Sequence, residues 1–272
     1  MKEQRHHSKI YKIDGVGIDL ERFSPSKDVA EKNTLRFSNG FSQDDFILIY
    51  TAEFIPRKNH QILFDILPDL KIKIPNLKVI LCGKGELLEY YRTFAATNGM
   101  DYIIFTGYTK NVNLFYRISD ICVSCSVQEG QGLNIIEGMA TGLPVVASNI
   151  RGHCDVLKQF ENGFLFDLSD RKTLIDSIMI LYKNPALRSE IGERNIIEAK
   201  NYSVMTSVEL MAKIYGELID EITKSYGGGR SVVLIFPYYK KFKANLACKT
   251  IDGFIQQSSV SVSEKTETLY AA

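Results

Sequence analysis

The sequence predicts an α/β domain built on a doubly wound parallel sheet, followed by C-terminal helices. Three observations carry this. Short apolar runs alternate with longer amphipathic stretches between residues 46 and 166, the pattern of repeated βαβ units. The runs read as buried strands, as expected where helices cover both faces of a sheet. A glycine-bearing turn leads from one of the strands into a helix, and such sheets bind ligands beyond the carboxyl ends of their strands.

In chain order, Phe46-Ile47-Leu48-Ile49-Tyr50 reads as the first strand and residues 59–70 as the helix after it. Residues 77–82 form the next strand and 86–97 the next helix. Residues 102–105 make a third strand and 112–118 a short helix. Ile121-Cys122-Val123 is the strand that delivers Glu129. A helix beginning near Leu133, a strand at Val145-Val146-Ala147 and another at residues 163–166 complete the series. Residues 170–182 place Leu174, Ile178 and Leu181 on one helical face, and Pro185 suits the first turn of the next helix. From Val204 to Tyr226, apolar residues recur at three- and four-residue steps.

Composition bounds the function. A chain of 272 residues, 45% hydrophobic and 24% charged, can bury a sizeable core. A net charge of +1 gives no electrostatic footprint for nucleic acid. No segment has the length of a transmembrane helix, and the longest apolar run, residues 232–239, contains Pro237. The opening MKEQRHHSKIYK has no apolar core of the signal-peptide kind. Cys82, Cys122, Cys125 and Cys154 read as reduced residues in mostly apolar surroundings. Cys122 and Cys125 have CxxC spacing, but no second pair or flanking histidines, so no metal site is expected. These features point to the cytoplasm, with the inner membrane face as a further possible surface.

The most informative stretch is EGQGLNIIEGMATGLPVVAS, beginning at Glu129. Gly130 and Gly132 permit close approach of backbone to a ligand and a sharp turn into a helix. That helix presents free amides and the positive end of its dipole to whatever occupies the turn. The result is an anion site suited to a diphosphate. Glu129 stands at its mouth, able to accept hydrogen bonds from hydroxyls. Glu137, about one turn into the helix, is placed for a second diol.

This string resembles the E-x7-E signature of retaining GT-B glycosyltransferases of family 4, within the glycosyl transferases group 1 domain. The resemblance implies that Glu129 contacts a donor sugar and Glu137 binds ribose hydroxyls. It also implies that backbone amides of Gly130, Gln131, Gly132 and Leu133 help hold sugar and phosphate. The donor would be a nucleotide diphospho-sugar, often with uridine, and no separate cofactor or metal is required. A second segment, YTAEFIPRKNHQIL, is similar to the family loop G-R-L-x-x-x-K-G, whose Arg and Lys grip the diphosphate. Lys58 matches the Lys. Glu53 stands at the Arg position and replaces a cation with an anion. Arg57 could partly supply the missing charge, and a solvated loop lysine is the plain alternative for Lys58. Lys58-Asn59-His60, Asn134 and Arg151-Gly152-His153 look like a polysaccharide-biosynthesis branch of the family.

Other positions leave two readings each. Gly83-Lys84-Gly85 is a ligand-approaching turn or a tight strand-to-helix turn. Tyr108, in a segment similar to the one that borders the nucleobase, stacks on the base or packs as an ordinary tyrosine. His153 is a hydrogen-bond donor to a sugar or a helix-start histidine.

Gly15 to Phe23 looks like the family's interdomain linker, so residues 1–24 read as a linker remnant and 25–226 as the donor-binding domain. The resemblance covers residues 13 to 222, the donor half alone. The expectation is a truncated product or one half of a split enzyme, with an N-terminal acceptor domain supplied separately and a glycan or lipid-linked acceptor. Residues 227–272 match nothing in the family. Gly227-Gly228-Gly229 reads as a flexible break, residues 232–243 as a membrane-surface contact, a charged-edge strand or a non-native continuation past a lost stop, and the Ser/Thr/Glu-rich stretch at 256–268 as disordered.

Overall fold

The computed structural model of the protein describes Tyr11, Gly15 and residues 17–226. Six strands form one sheet: β1 (Phe46–Thr51), β2 (Leu77–Cys82), β3 (Ile103–Gly107), β4 (Ile121–Ser124), β5 (Val145–Ser148) and β6 (Gly163–Phe166). Every neighbouring pair is parallel, in the order β3-β2-β1-β4-β5-β6. In this doubly wound order β1 and β4 are adjacent, with Leu48 opposite Ile121, although residues 52–120 lie between the end of one and the start of the other.

Nine helices lie among the described residues: α1 (Val29–Ser38), α2 (His60–Lys73), α3 (Leu88–Thr97), α4 (Val112–Ile118), α5 (Leu133–Ala140), α6 (Arg151–Cys154), α7 (Arg171–Lys183), α8 (Pro185–Ala199) and α9 (Val204–Tyr226). Alternation along the strands sorts the core into two layers. Leu48 and Tyr50 of β1 join α2 (Leu63, Leu67) and α7 (Leu174, Ile178) on one face. Ile47 and Ile49 join α5 (Ile135, Ile136, Met139) and α4 (Ile118) on the other. These side chains are almost fully buried, and each contributes about 1.5–3 kcal/mol through removal from water.

Residues 18–203 form one compact unit. Helix α9, the last part of the span expected as a domain from 25 to 226, belongs to a second unit, where the Ser207 hydroxyl donates to the Gly15 carbonyl at 3.0 Å. The tail expected at 227–272, with its possible membrane contact, lies outside the described residues. Among the described residues no helix is long and apolar enough to cross a membrane.

Helix α1 is an element that apolar periodicity does not announce. Its Val29 and Phe37 are exposed, Leu35 packs against the core, and its most buried residue is a charged one. Arg36, 4% exposed, donates to the carbonyls of Ile118, Gln43 and Asp45 and to the Asp120 carboxylate. Lys32 donates to the other Asp120 oxygen at 3.0 Å and to the Ser119 carbonyl at 2.6 Å. Asp120 also accepts the Ile47 amide at 2.8 Å, which ties α1 to the starts of β1 and β4.

Candidate active site

The sheet order creates the site. The chain leaves β1 toward α2 and β4 toward α5, on opposite faces, so the loops after these adjacent strands diverge. A crevice opens between them at the carboxyl end of the sheet. Lys58 lies on the first loop and Glu129 on the second, and the two side chains meet. The Lys58 ammonium donates to Glu129 Oε1 in a direct ion pair. Both are largely shielded, with the Lys58 side chain 15% and the Glu129 side chain 8% exposed. Ser126 donates its hydroxyl to the same oxygen at 2.6 Å. Arg57 Nη1 stands 3.6 Å from Oε2, so the structure brings the second expected cation beside the carboxylate. Burial pushes the Glu129 carboxyl up, but the bonds from Lys58 and Ser126 outweigh it and hold it below its usual value. Glu53 is exposed.

Both loops are fixed from below. A 3-10 turn at Pro56–Lys58 ends at Asn59, which adopts the left-handed conformation with φ of 47°. Tyr50, at the end of β1, donates its hydroxyl to the Lys58 carbonyl at 2.6 Å and lies 3.2 Å from Ser126 Oγ. The Val127 amide donates to the Arg57 carbonyl at 2.9 Å, stitching one loop to the other.

His60 forms the floor behind Lys58. It is 1% exposed, stacks on Phe54 at 4.2 Å, and neither ring nitrogen has a hydrogen-bond partner. Burial, with a smaller contribution from the Lys58 charge, depresses its pKa to about 3. The ring is therefore neutral in the fold. The stability this represents is complete above the unfolded histidine pKa of about 6.5 and is lost as pH falls from there toward 3. His60→Phe keeps the ring stack and removes the titration. Between pH 8 and pH 5 the wild type is expected to lose about 2 kcal/mol more stability than His60→Phe in urea titrations. Parallel losses in the two proteins contradict this.

The turn from Glu129 into α5 follows the sequence expectation in outline. Gly132 is the N-cap residue, with φ of 67° and ψ of 58°, and a Cβ there would stand 3.0 Å from the His153 ring. Glycine is thus required on both conformational and steric grounds. Gly130 differs: nothing in the protein lies within 4 Å of where its Cβ would be, so that side is open. Gln131 is half-buried between them, and Leu133 is 40% exposed. The helical ladder of α5 begins with the amides of Ile135 and Ile136, both donating to the Gly132 carbonyl. The Leu133 and Asn134 amides precede that ladder and form the positive end of the helix.

His153 does not reach toward a sugar. It is fully buried beneath the turn. Its Nδ1 lies 2.9 Å from the Ser148 carbonyl, which can only accept, so Nδ1 carries the proton and Nε2 accepts from Ser124 at 3.1 Å. Its role is to brace Gly132. The buried serines 124, 126 and 148 were missed from the sequence, where hydroxyls at the ends of apolar strands were the available signal. Gly83-Lys84-Gly85 resolves as a packing turn. The Gly83 amide is taken by the Gly107 carbonyl at 3.0 Å, and a Cβ on Gly83 would stand 1.9 Å from the Ala52 carbonyl oxygen. Tyr108 is 71% exposed beyond β3, two strands from β1, with the Lys84 ammonium 5.7 Å from its ring centre. The structure does not bring it against Lys58 or Glu129. Cys82, Cys122 and Cys125 are buried thiols whose pKa values burial pushes up, whereas Cys154 is exposed, contrary to its expected apolar setting. Among the described residues no group of three His, Cys, Asp or Glu side chains is arranged to hold a metal.

Glu137 lies one turn into α5, half-buried. Burial raises its carboxyl to about 7, only partly offset by the Tyr116 hydroxyl and the Arg22 charge. A carboxyl raised in the fold costs stability as pH climbs from its unfolded value of 4.5 through 7. Glu137→Gln is therefore expected to gain up to about 3 kcal/mol over the wild type at pH 8 and little at pH 4.5, read by denaturant titration. A gain independent of pH contradicts the assignment.

Comparison with known proteins gives a consistent family. The model of "Glycosyl transferases group 1" matches residues 31–197. EpsD of Bacillus subtilis (strain 168), which carries a provisional glycosyltransferase name, is 36% identical over 222 residues, covering 81% of this chain and 58% of EpsD. The Escherichia coli UDP-Gal:alpha-D-GlcNAc-diphosphoundecaprenol alpha-1,3-galactosyltransferase is 29% identical over 213 residues, covering 75% of this chain and 53% of that enzyme. The chain spans about half the length of the curated relatives it matches. Among solved structures, Anabaena HepE in complex with UDP and glucose shares the fold with a TM-score of 0.66 at 22% identity, covering 74% of this chain and 55% of HepE. The C-terminal domain of the Francisella tularensis glycosyl transferase group 1 protein LpcC shares it at 0.60 and 22% identity, covering 68% of this chain and 97% of that domain.

Proposed function

The chain belongs to the glycosyl transferases group 1 family, and from that premise we propose that it is the donor-binding domain of a retaining GT-B glycosyltransferase of family 4. The donor is a nucleotide diphospho-sugar, with UDP as the nucleotide and a hexosyl or N-acetylhexosaminyl group as the sugar. The acceptor is a glycan or a lipid-linked glycan at the inner face of the membrane, in cell-surface polysaccharide assembly. The observation that carries this reading is the meeting of Lys58 and Glu129 across β1 and β4, in front of the α5 N-terminus. Two comparisons support UDP: the E. coli relative is named for UDP-Gal and a diphosphoundecaprenol acceptor, and HepE was solved with UDP.

The chemistry follows from charge. Sugar transfer releases a nucleoside diphosphate, so negative charge grows on the leaving phosphate oxygens in the transition state. Lys58, Arg57 and the Leu133 and Asn134 amides are the groups that would stabilise it. Glu129 would accept hydrogen bonds from the sugar hydroxyls, and amides from Gly130 to Leu133 would line the sugar–phosphate junction. Glu137 would accept from the ribose diol, whose donors favour its ionised form. Tyr108 would border the base. The anomeric configuration is retained. The test is calorimetric titration of the full chain with UDP, GDP, ADP and NAD. Saturable binding of UDP in preference to NAD is expected, and preference for NAD counts against the reading.

A further inference from the structure

In the structure the Oε1 oxygen of Glu129 is fully engaged, while Oε2 stands 3.6 Å from Arg57 Nη1, beyond hydrogen-bond distance. Oε1 takes both the Lys58 ammonium and the Ser126 hydroxyl, and Oε2 faces Arg57. The same contact occupies Lys58, whose ammonium is bonded to the carboxylate and whose side chain is only 15% exposed. The cation suited to the donor's phosphate and the anion suited to its sugar therefore engage each other. We propose that this ion pair is a specificity latch, in which the Glu129 carboxylate holds the diphosphate's place on Lys58 and is released to the sugar only when a diphosphate displaces it.

The proposal rests on the donor-site reading and adds an order to it. A nucleoside has no anion to exchange for the carboxylate and leaves the latch closed. A diphosphate offers Lys58 more charge than Glu129 does, and the α5 N-terminus and Arg57 help draw it in. Once Lys58 has moved to phosphate, Glu129 loses its strongest partner and becomes an acceptor facing the open side of Gly130. The sugar-binding group is thus armed by the leaving group that the reaction requires. The closed latch also lowers diphosphate affinity, because apparent affinity falls with the fraction of molecules whose site is open.

The latch predicts a gain of affinity on removing a binding-site charge. UDP carries the diphosphate without the sugar, so it reads the latch alone. Glu129→Gln, which keeps the shape and leaves Lys58 unpaired, is expected to bind UDP roughly three- to tenfold more tightly than the wild type. Ser126→Ala, which removes one partner of Oε1, is expected to shift affinity in the same direction by less. Uridine affinity is expected to stay within about twofold in all three proteins, as it does not reach Lys58. Tighter UDP binding by either folded variant, or UDP binding by a variant where the wild type shows none, supports the latch. Equal or weaker UDP binding in both variants of a wild type that binds UDP, or an equal gain for uridine, overturns the latch and leaves the donor site standing. Failure of all three to bind UDP overturns both.

Discussion

Lys58→Ala is expected to weaken UDP binding by roughly 10- to 100-fold, because a charge-assisted bond to phosphate contributes about 1.5–3 kcal/mol. The loss should be concentrated on the diphosphate, with uridine binding nearly unchanged. Lys58 is suited to this role by its backbone, which Tyr50 grips through the Lys58 carbonyl while the side chain points over β4 to Glu129. The substitution also leaves Glu129, 8% exposed, without its closest cation, so a negative charge then faces the incoming phosphate. Calorimetry with UDP and with uridine separates the two ligands. Equal losses for both would show that the variant has deformed the loop rather than removed a phosphate contact.

The second large effect lies at the opposite end of the sheet. Asp120→Ala is expected to destabilise the domain by about 3–5 kcal/mol, the cost of leaving buried charges without a partner. Arg36 and Lys32 would both lose their counter-ion, and the Ile47 amide at the start of β1 would lose its acceptor. Asp120→Asn keeps an acceptor for Ile47 and should lose less. Urea denaturation of the three proteins measures this directly. A loss below about 1 kcal/mol for Asp120→Ala would mean that water already satisfies these groups.

The two regions differ in how legible they were. The strands of the sheet could be read because each is a short run of apolar residues with buried-strand character, and α5 because its glycine turn and apolar face lie in one string. Helix α1 could not be read from periodicity, since Leu35 shares its inward side with the cations Arg36 and Lys32, and Phe37 faces out. Its capping signal was present: Asp28 accepts the Glu31 amide at 2.8 Å, and Glu31 returns a bond to the Lys27 amide at 2.6 Å. The adjacency of β1 and β4 is a tertiary fact without local signature, so Lys58 and Glu129 could be nominated separately but not as a pair. The two readings of His153 stayed open for the same reason. Only the packing of α6 beneath Gly132 shows that both ring nitrogens are engaged with Ser124 and Ser148.

The carboxylate of Glu137 offers the most direct test of the donor site as a whole, because it touches neither Lys58 nor the glycine turn in its assigned role. The measurement is calorimetric titration of the wild type and Glu137→Ala with UDP at pH 8, where the carboxyl, raised to about 7, is mostly ionised. Saturable UDP binding that Glu137→Ala weakens by about tenfold or more, the equivalent of one charge-assisted hydrogen bond to a hydroxyl, is the predicted result. UDP binding unchanged by the substitution would remove Glu137 from the site, and no binding by the folded wild type, Glu129→Gln or Ser126→Ala would contradict a donor site in this chain.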